Sequence, residues 1–218
     1  MHRGERGSRR VRQELQHGVP GVGEQALGRL AWWVVVGSVP VGVVGLATRH
    51  VVSGPLRNLW VVVAALAGWS VVMWLAERAA TLNRTEGDLT LTDAVVIGLV
   101  QCLALVPGVS RSGATISAGL FRGLDRVVAT RVSFFLSIPA LVAAGGYEAA
   151  TSASDVGASV GWGATVLATL VSFAVAYASI AWLLRLVVHR LISVFAGYRV
   201  GLATAVAVLL STGALSAT

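Results

Sequence analysis

The stretch that decides the fold is AVVIGLVQCLALVPGVSRSGATISAGLF, residues 94–121, which carries one charge, Arg111, in an otherwise uncharged run. One membrane crossing needs about 20 apolar residues. This run is longer, and it contains Pro107 and Gly108 near its middle, a pair that stops a helix. The sequence therefore allows two structures, which are one broken crossing or a helical hairpin that enters the membrane and returns to the same side.

The arginines decide between these structures, because basic loops concentrate on the cytoplasmic side of a membrane protein. With one crossing, the basic loops 77–93 and 122–131 fall on opposite sides. With a hairpin, fourteen of the 17 arginines share one side, and Arg49 and Arg57 lie on the other. We therefore predict a re-entrant helical hairpin at about 94–121 and a cytoplasmic N-terminal tail. Broken helices at membrane depth need protein or water around them, so the hairpin should line a cavity.

The rest of the chain has the composition of a multi-pass membrane protein. Hydrophobic residues make up 56% of the 218 residues and charged residues 12%, whereas a soluble domain carries about 25% charged residues. The arginines stand at the ends of apolar stretches, so we expect no nucleic-acid partner. Residues 1–29 are predicted to be a polar, disordered tail, and residues 30–218 a membrane domain. We predict an all-α integral membrane protein with about five transmembrane helices, at 30–48, 59–76, 132–150, 160–184 and 200–217.

Residues 107–115, PGVSRSGAT, combine the features of a phosphate site. An arginine at membrane depth is costly and usually marks a functional site, and the guanidinium of Arg111 matches phosphate oxygens. A helix that restarts after Pro-Gly has unpaired N–H groups that favour anions. A phosphate at this depth would belong to a lipid. We predict a phosphate cradle in which glycines permit a close approach and hydroxyls donate hydrogen bonds, formed with Gly108, Ser110, Ser112, Gly113 and Thr115.

A purely structural role is the alternative for the same residues. Arg111 could pair with a carboxylate that holds helices together, while the Ser and Gly residues serve close helix packing. Gln101 could extend the cradle as a hydrogen-bonding side chain, or could bond between helices. The single cysteine, Cys102, allows no internal disulfide and is expected to pack as a small hydrophobic residue. The residues alone leave both interpretations open.

The segment QCLALVPGVSRSGATISAGLFRG, Gln101–Gly123, closely resembles the second signature of the undecaprenyl-diphosphate phosphatase family of the bacitracin-resistance type. The resemblance runs from about Arg29 to near the C-terminus. It implies the second part of an inverted-repeat fold, and hydrolysis of undecaprenyl diphosphate to the monophosphate, which recycles the lipid carrier for cell-wall synthesis. It also implies catalytic roles for Arg111, as phosphate clamp and transition-state stabiliser, and for Ser110, as phosphate ligand or nucleophile.

The chain departs from that family in its N-terminal part. The family's first signature is a Glu-rich run that this sequence lacks, so we expect the family's N-terminal hairpin and first membrane helix to be missing, as in a truncated gene model. Those glutamates would supply a base or hold a divalent cation such as Mg²⁺ or Ca²⁺. No carboxylate is evident in the predicted cavity: Asp93 is predicted to cap a helix, Asp125 to lie in a loop, and Glu148 to lie at the end of a span.

Three functions remain open from the sequence. The leading hypothesis is a lipid-diphosphate phosphatase of the bacterial cell membrane, with a polyprenyl diphosphate as substrate. The second is a transporter (flippase) for polyprenyl phosphate lipids, because inverted repeats with broken helices are a transporter architecture. The third is an inactive fragment. A homo-oligomer is compatible with all three.

Overall fold

The computed structural model describes residues 24–152, 161–189 and 193–217. Within these ranges the regular structure is helical, apart from one isolated bridge between Arg84 and Leu124. Most of the predicted tail, residues 1–23, lies outside the described ranges. The helices are α1 (Glu24–Ser53), α2 (Leu59–Ala79), α3 (Leu91–Gln101), α4 (Arg111–Phe121), α5 (Arg126–Thr151), α6 (Trp162–His189) and α7 (Ser193–Ser211).

Helix length and composition confirm an all-α membrane protein. In the described part of the chain, 4 helices are long and apolar enough to cross a membrane, at Gly28–Val52, Leu59–Ala79, Arg126–Thr151 and Trp162–Leu183. The last helix, α7, ends at Ser211 and begins at Ser193, before the predicted start at residue 200. The sequence boundary was set by the charge of Arg199, which in the structure lies inside the helix.

The chain divides into two compact units. The described part of the first, residues 24–33, is the beginning of α1, where the Arg29 guanidinium lies 5.4 Å from the centre of the Trp33 ring in a cation–π arrangement. The second unit begins at Val34. It contains the hairpin and all residues of the candidate site.

The helices α3 and α4 form the hairpin. The helix α3 begins with a capping box, in which Thr90 is the N-cap and the Asp93 carboxylate accepts a bond from the Thr90 N–H at 2.9 Å. It continues into a short 3₁₀ turn, Cys102–Leu105. Arg122, which directly follows α4, donates from Nε to Asp93 at 2.7 Å, so the start of α3 lies beside the end of α4. Each helix has 11 residues, which is too short to cross a bilayer.

The buried carboxylate of Asp93 closes the base of this hairpin. Besides Arg122, it accepts two bonds from the Arg84 guanidinium, at 3.0 and 2.6 Å. Burial opposes ionisation of Asp93, but the bonds from Arg84, Thr90 and Arg122 outweigh it and hold the pKa of the carboxyl well below its usual range. The predicted N-cap role belongs to Thr90, and Asp93 instead joins the two ends of the hairpin to the preceding loop.

Glycines bring the hairpin into backbone contact with its neighbours. A Cβ atom on Gly98 of α3 would lie 2.0 Å from the carbonyl oxygen of Gly37 in α1. A Cβ atom on Gly119 of α4 would lie 2.8 Å from the Cβ of Ala129 in α5. Small residues permit such close helix approaches in membranes. The position of the hairpin is therefore fixed along both of its helices.

Candidate functional site

The tip of the hairpin is a tight turn pressed against α2. Gly108 has a φ of +100°, a conformation that favours glycine. A Cβ atom at this position would lie 2.7 Å from the carbonyl oxygen of Val62 and 3.0 Å from the Cβ of Ala65. The predicted close approach at Gly108 is therefore an approach to α2, and it sets the position of the residues that follow.

Ser110 is the N-cap of α4 and leaves the first amides of that helix free. Its Oγ accepts a bond from the Gly113 N–H at 3.2 Å, and its carbonyl accepts one from the Ala114 N–H at 2.9 Å. The N–H groups of Arg111 and Ser112, at the first two helical positions, donate to no residue that the structure describes. Ser110 has a φ of +63°, which is uncommon outside glycine. The turn thus presents an unpaired helix N-terminus, an arrangement that binds anions.

The Arg111 side chain is partly buried and, within the described ranges, has neither a hydrogen-bond acceptor nor a carboxylate partner. The described residues therefore do not support the structural alternative, in which a carboxylate neutralises Arg111. Arginines at the base of the hairpin differ, because each has an acidic partner: Arg84 and Arg122 with Asp93, Arg126 with Glu77, and Arg131 with Glu86.

A second arginine, which is not among the predicted site residues, reaches the tip. Arg199 of α7 donates from Nη2 to the carbonyl oxygen of Gly108 at 2.6 Å, and more weakly to that of Val109 at 3.5 Å. Its Nε lies 3.4 Å from the Ser70 hydroxyl in α2. The last span is predicted to begin at residue 200, which leaves Arg199 just outside it. The available signal was its setting, since Arg199 stands in an uncharged run much as Arg111 does.

The other residues of the predicted cradle take different positions. Ser112 is partly buried, and Gly113 is buried where a Cβ atom would lie 3.2 Å from the Met73 sulfur and 3.3 Å from the Ser110 side chain. Gly113 therefore makes room for α2 and for the Ser110 cap. Thr115 is fully buried, and its hydroxyl is already paired, with the Ser133 hydroxyl at 2.6 Å and with the Arg111 carbonyl at 2.9 Å. It joins α4 to α5.

Gln101, at the end of α3, has no exposed surface, and neither atom of its amide group has a partner among the described residues. A buried, unpaired amide is costly, and in a native structure it calls for an explanation, of which a functional role is one. The predicted bond between helices is not made by the described residues. Because the Gln101 side chain is fully buried, a ligand does not reach its amide in this conformation.

The structure describes Asp125 and Glu148, two of the acidic residues placed from the sequence. Asp125, predicted to be a loop charge, is the N-cap of α5 and accepts a bond from the Val127 N–H at 2.8 Å. Glu148 is exposed near the end of α5, as predicted. The described residues contain no group of three His, Cys, Asp or Glu side chains that could hold a metal ion. The tip offers guanidinium, hydroxyl and N–H donors, which fit an anion and do not fit a divalent cation.

A groove of about 410 Å³ lies between α2 and α7. Its lining is mostly apolar and includes Trp60, Ala67 and Ala207, and one of its residues is Val200, which follows Arg199 in the chain. The lining residues belong to α2 and α7, whereas the predicted cavity was to be lined by the hairpin. The groove is therefore a mostly apolar surface on α7, the helix that carries Arg199.

Comparison with known protein families identifies the fold family. The profile of the family described as bacitracin resistance protein BacA matches residues 6–205. The chain belongs to the BacA family. The resemblance that the Gln101–Gly123 segment indicated is therefore confirmed. The BacA match begins at residue 6, within the predicted tail 1–29, which the resemblance did not include.

Several BacA-related proteins have high sequence identity to this chain. Undecaprenyl-diphosphatase 3 of Frankia casuarinae is 54% identical over 190 residues, which are 87% of this chain and 68% of the relative. The undecaprenyl-diphosphatase of Cutibacterium acnes is 54% identical over 178 residues, 78% of this chain and 63% of the relative. That of Acidothermus cellulolyticus is 50% identical over 188 residues, 86% and 67%. The chain thus spans about two thirds of the length of these relatives.

Proposed function

We propose that this chain is an undecaprenyl-diphosphate phosphatase, which binds the diphosphate head group of its lipid substrate at the hairpin tip and hydrolyses it. The products are undecaprenyl phosphate and inorganic phosphate. The names of the relatives support this activity. The reaction returns the lipid carrier to cell-wall synthesis.

One observation carries the proposal, namely the uncompensated positive charge at the tip. Arg111 has no acidic partner among the described residues, and the adjacent N–H groups of Arg111 and Ser112 are unpaired. A charged group inside a membrane protein is expensive unless another charge or a ligand compensates it. Phosphate oxygens satisfy both a guanidinium fork and a helix N-terminus. The ligand reaches the tip from the bilayer, which favours a phosphorylated lipid over a soluble phosphate ester.

The reaction divides into a bond made and a bond broken at the terminal phosphorus. Water attacks that phosphorus, and the bond from it to the bridging oxygen breaks. The bridging oxygen leaves with the lipid monophosphate, the water oxygen remains in inorganic phosphate, and a proton is released. Charge is spread over the outer phosphoryl oxygens in the transition state. Arg111 and the N-terminus of α4 stabilise that charge, which is a form of catalysis that needs fixed donors.

Ser110 acts as a phosphate ligand in this mechanism. Its Oγ accepts the bond from Gly113, and its O–H remains available to donate to a phosphate oxygen. The alternative role as a nucleophile needs a base beside the hydroxyl. The carboxylates of Asp93 and Glu77 are bound to arginines at the base of the hairpin, so they do not serve as that base.

Gly108, Gly113 and Ser112 complete the site in supporting roles, whereas the buried amide of Gln101 is not reached by a ligand in this conformation. The two glycines let the turn and the cap pack against α2, and Ser112 adds a hydroxyl next to the free amides. Thr115 holds the first turn of α4 through its bond to Ser133. Described residues provide binding and charge stabilisation but do not form a divalent-cation site, so no step is assigned to Mg²⁺ or Ca²⁺.

The proposal includes an orientation in the bacterial cell membrane. The arginines of the loops 77–93 and 122–131, at the base of the hairpin, face the cytoplasm together with the N-terminal tail, as the positive-inside rule expects. The hairpin then enters the membrane from the cytoplasmic side. Its tip lies at membrane depth, where it meets the head group of a lipid.

Phosphate release by the purified chain tests the activity. The chain 1–218 in lipid nanodiscs is expected to release inorganic phosphate from undecaprenyl diphosphate, and Arg111→Ala is expected to lower the rate by about 100- to 1000-fold. Arg57→Ala, which removes an exposed arginine from the loop after α1, is the matched control and should leave the rate unchanged. No phosphate release by the wild-type chain, or equal rates for the two variants, contradicts the proposal.

The same preparation separates an enzyme from a transporter. The names of the relatives do not favour the transporter hypothesis. In vesicles, the chain should hydrolyse undecaprenyl diphosphate without moving a methylene-bridged, non-hydrolysable analogue between leaflets. Movement of the analogue in the absence of phosphate release would support the transporter instead.

A further inference from the structure

Arg199 joins three separate parts of the site. It is carried by α7, its Nη2 bonds to the carbonyl oxygen of Gly108 at 2.6 Å, and its Nε lies 3.4 Å from the Ser70 hydroxyl of α2. Gly108 is two residues before the N-cap Ser110. The guanidinium therefore contacts the turn that leads into α4.

The charge of Arg199 is not neutralised by these contacts. Carbonyl and hydroxyl oxygens accept its hydrogen bonds but carry no net charge. Within the described ranges Arg199 has no ion pair, and its Nη1 has no acceptor. A guanidinium has five N–H donors, so several remain available. Arg111 and Arg199 thus place two uncompensated positive charges at one end of the hairpin, whereas four arginines at the other end have acidic partners.

We infer that Arg199 is a second phosphate-binding residue, so that the site takes a diphosphate with one guanidinium for each phosphate group. This inference rests on the proposed function of the tip and adds its selectivity. Arg111 and the N-terminus of α4 hold one phosphate, and Arg199 holds the other from the side of α7. A monophosphate fills the first position only. The site therefore binds the diphosphate substrate more tightly than the monophosphate product, which favours product release.

A purely structural role for Arg199 makes a different prediction. If Arg199 only holds the turn through Gly108, its loss disturbs the position of α4 and weakens every phosphate ligand equally. If Arg199 also binds a phosphate, its loss weakens the diphosphate selectively. The ratio of the two affinities separates these roles, because the disturbance of the turn cancels in the ratio.

The test compares farnesyl diphosphate with farnesyl monophosphate as ligands of the full chain in nanodiscs. Arg199→Gln is expected to weaken diphosphate binding by about 10- to 100-fold and monophosphate binding by less than about 3-fold, the range for loss of a charge-assisted contact. Arg57→Gln, which makes the same chemical change at an exposed arginine after α1, is the matched control and should change neither affinity by more than about 3-fold. Arg111→Gln should weaken both ligands.

The outcomes separate this inference from the proposed function. Equal losses for the two ligands in Arg199→Gln, or no loss, overturn the second phosphate position while leaving the tip as a phosphate site. Failure of the wild-type chain to bind either ligand overturns the proposed function and this inference with it. If Arg199→Gln does not fold, phenylglyoxal labelling of the wild type decides. The diphosphate should protect both Arg111 and Arg199, and the monophosphate Arg111 alone, whereas equal protection of Arg199 by both ligands overturns the inference.

Discussion

Replacing Gly108 with alanine tests whether the geometry of the tip turn governs phosphate binding. The added Cβ atom would lie 2.7 Å from the Val62 carbonyl oxygen, so the turn or α2 must move by roughly 0.7 Å to restore ordinary contact in a close-packed interior. The φ of +100° is also unfavourable for alanine, at a cost of about 1–3 kcal/mol. We expect a loss of unfolding free energy in that range.

The same shift displaces Ser110, two residues after Gly108, and the free amides of α4 that follow it. A displacement of about 1 Å in a reacting group can cost about 100-fold in rate, so a slightly smaller one should lower phosphate release by roughly 10- to 100-fold. The Arg199 bond to the Gly108 carbonyl is strained by the same movement. Binding and turnover should therefore both fall in this variant.

Gly68→Ala provides the matched control for Gly108→Ala, because it makes the same chemical change in α2 at a position where a Cβ atom meets nothing within 4 Å. Alanine in a helix interior is favoured over glycine by about 1 kcal/mol, so this variant should be as stable as the wild type or more so. Farnesyl diphosphate affinity, phosphate release and unfolding in mixed micelles are measured for both variants. Wild-type affinity and stability in Gly108→Ala would refute the reasoning.

Two further predictions concern charge at the base and at the tip of the hairpin. Asp93→Asn is expected to lose about 3 kcal/mol of unfolding free energy, because it leaves Arg84 and Arg122 without their buried carboxylate. The pKa of Asp93 is lowered in the folded state, so the stability difference from the wild type should be constant above about pH 5 and shrink as the pH falls below about 4. A difference that grows on acidification would show that Asp93 is not the titrating partner. Ser112→Asp places a carboxylate in the first turn of α4, where it should stabilise the helix by about 0.3–1 kcal/mol and yet abolish farnesyl diphosphate binding; retained binding in a titration would argue against an anion site at the tip.

The hairpin could be predicted from the sequence because it depends on a local break in the helix and on a count of charges. Pro107 and Gly108 mark the break, the length of the uncharged run exceeds one crossing, and the arginine count requires both ends on one side. The Asp93–Arg122 bond was not predicted, because it joins residues 29 positions apart. Once the two ends of a hairpin meet, a buried carboxylate there needs cations, and the loop arginines are the nearest ones.

The composition of the site was harder to predict than its position. The sequence predicts that the hydroxyls of Ser112 and Thr115 both belong to the cradle. The first helical turn ends before Thr115, however, and the rotation of α4 places that hydroxyl on Ser133 of α5. Arg199 was missed for a similar reason. Its partner Gly108 is 91 residues away, and the pairing of α7 with the tip follows from the tertiary fold rather than from local pattern.

The distribution of acids explains how one residue type performs two functions in this chain. Arginines at the base of the hairpin meet Asp93, Glu77 or Glu86 and become part of a neutral, closed structure. At the tip the same side chain has no acid beside it among the described residues, so its charge is left for a ligand. An acidic residue at the tip would offset part of the free-energy cost of burying the arginines, but it would also repel phosphate. Under the proposed function the site keeps this electrostatic penalty in order to attract a diphosphate. The ion pairs at the base and the helix contacts at Gly98 and Gly119 hold the fold that carries the site.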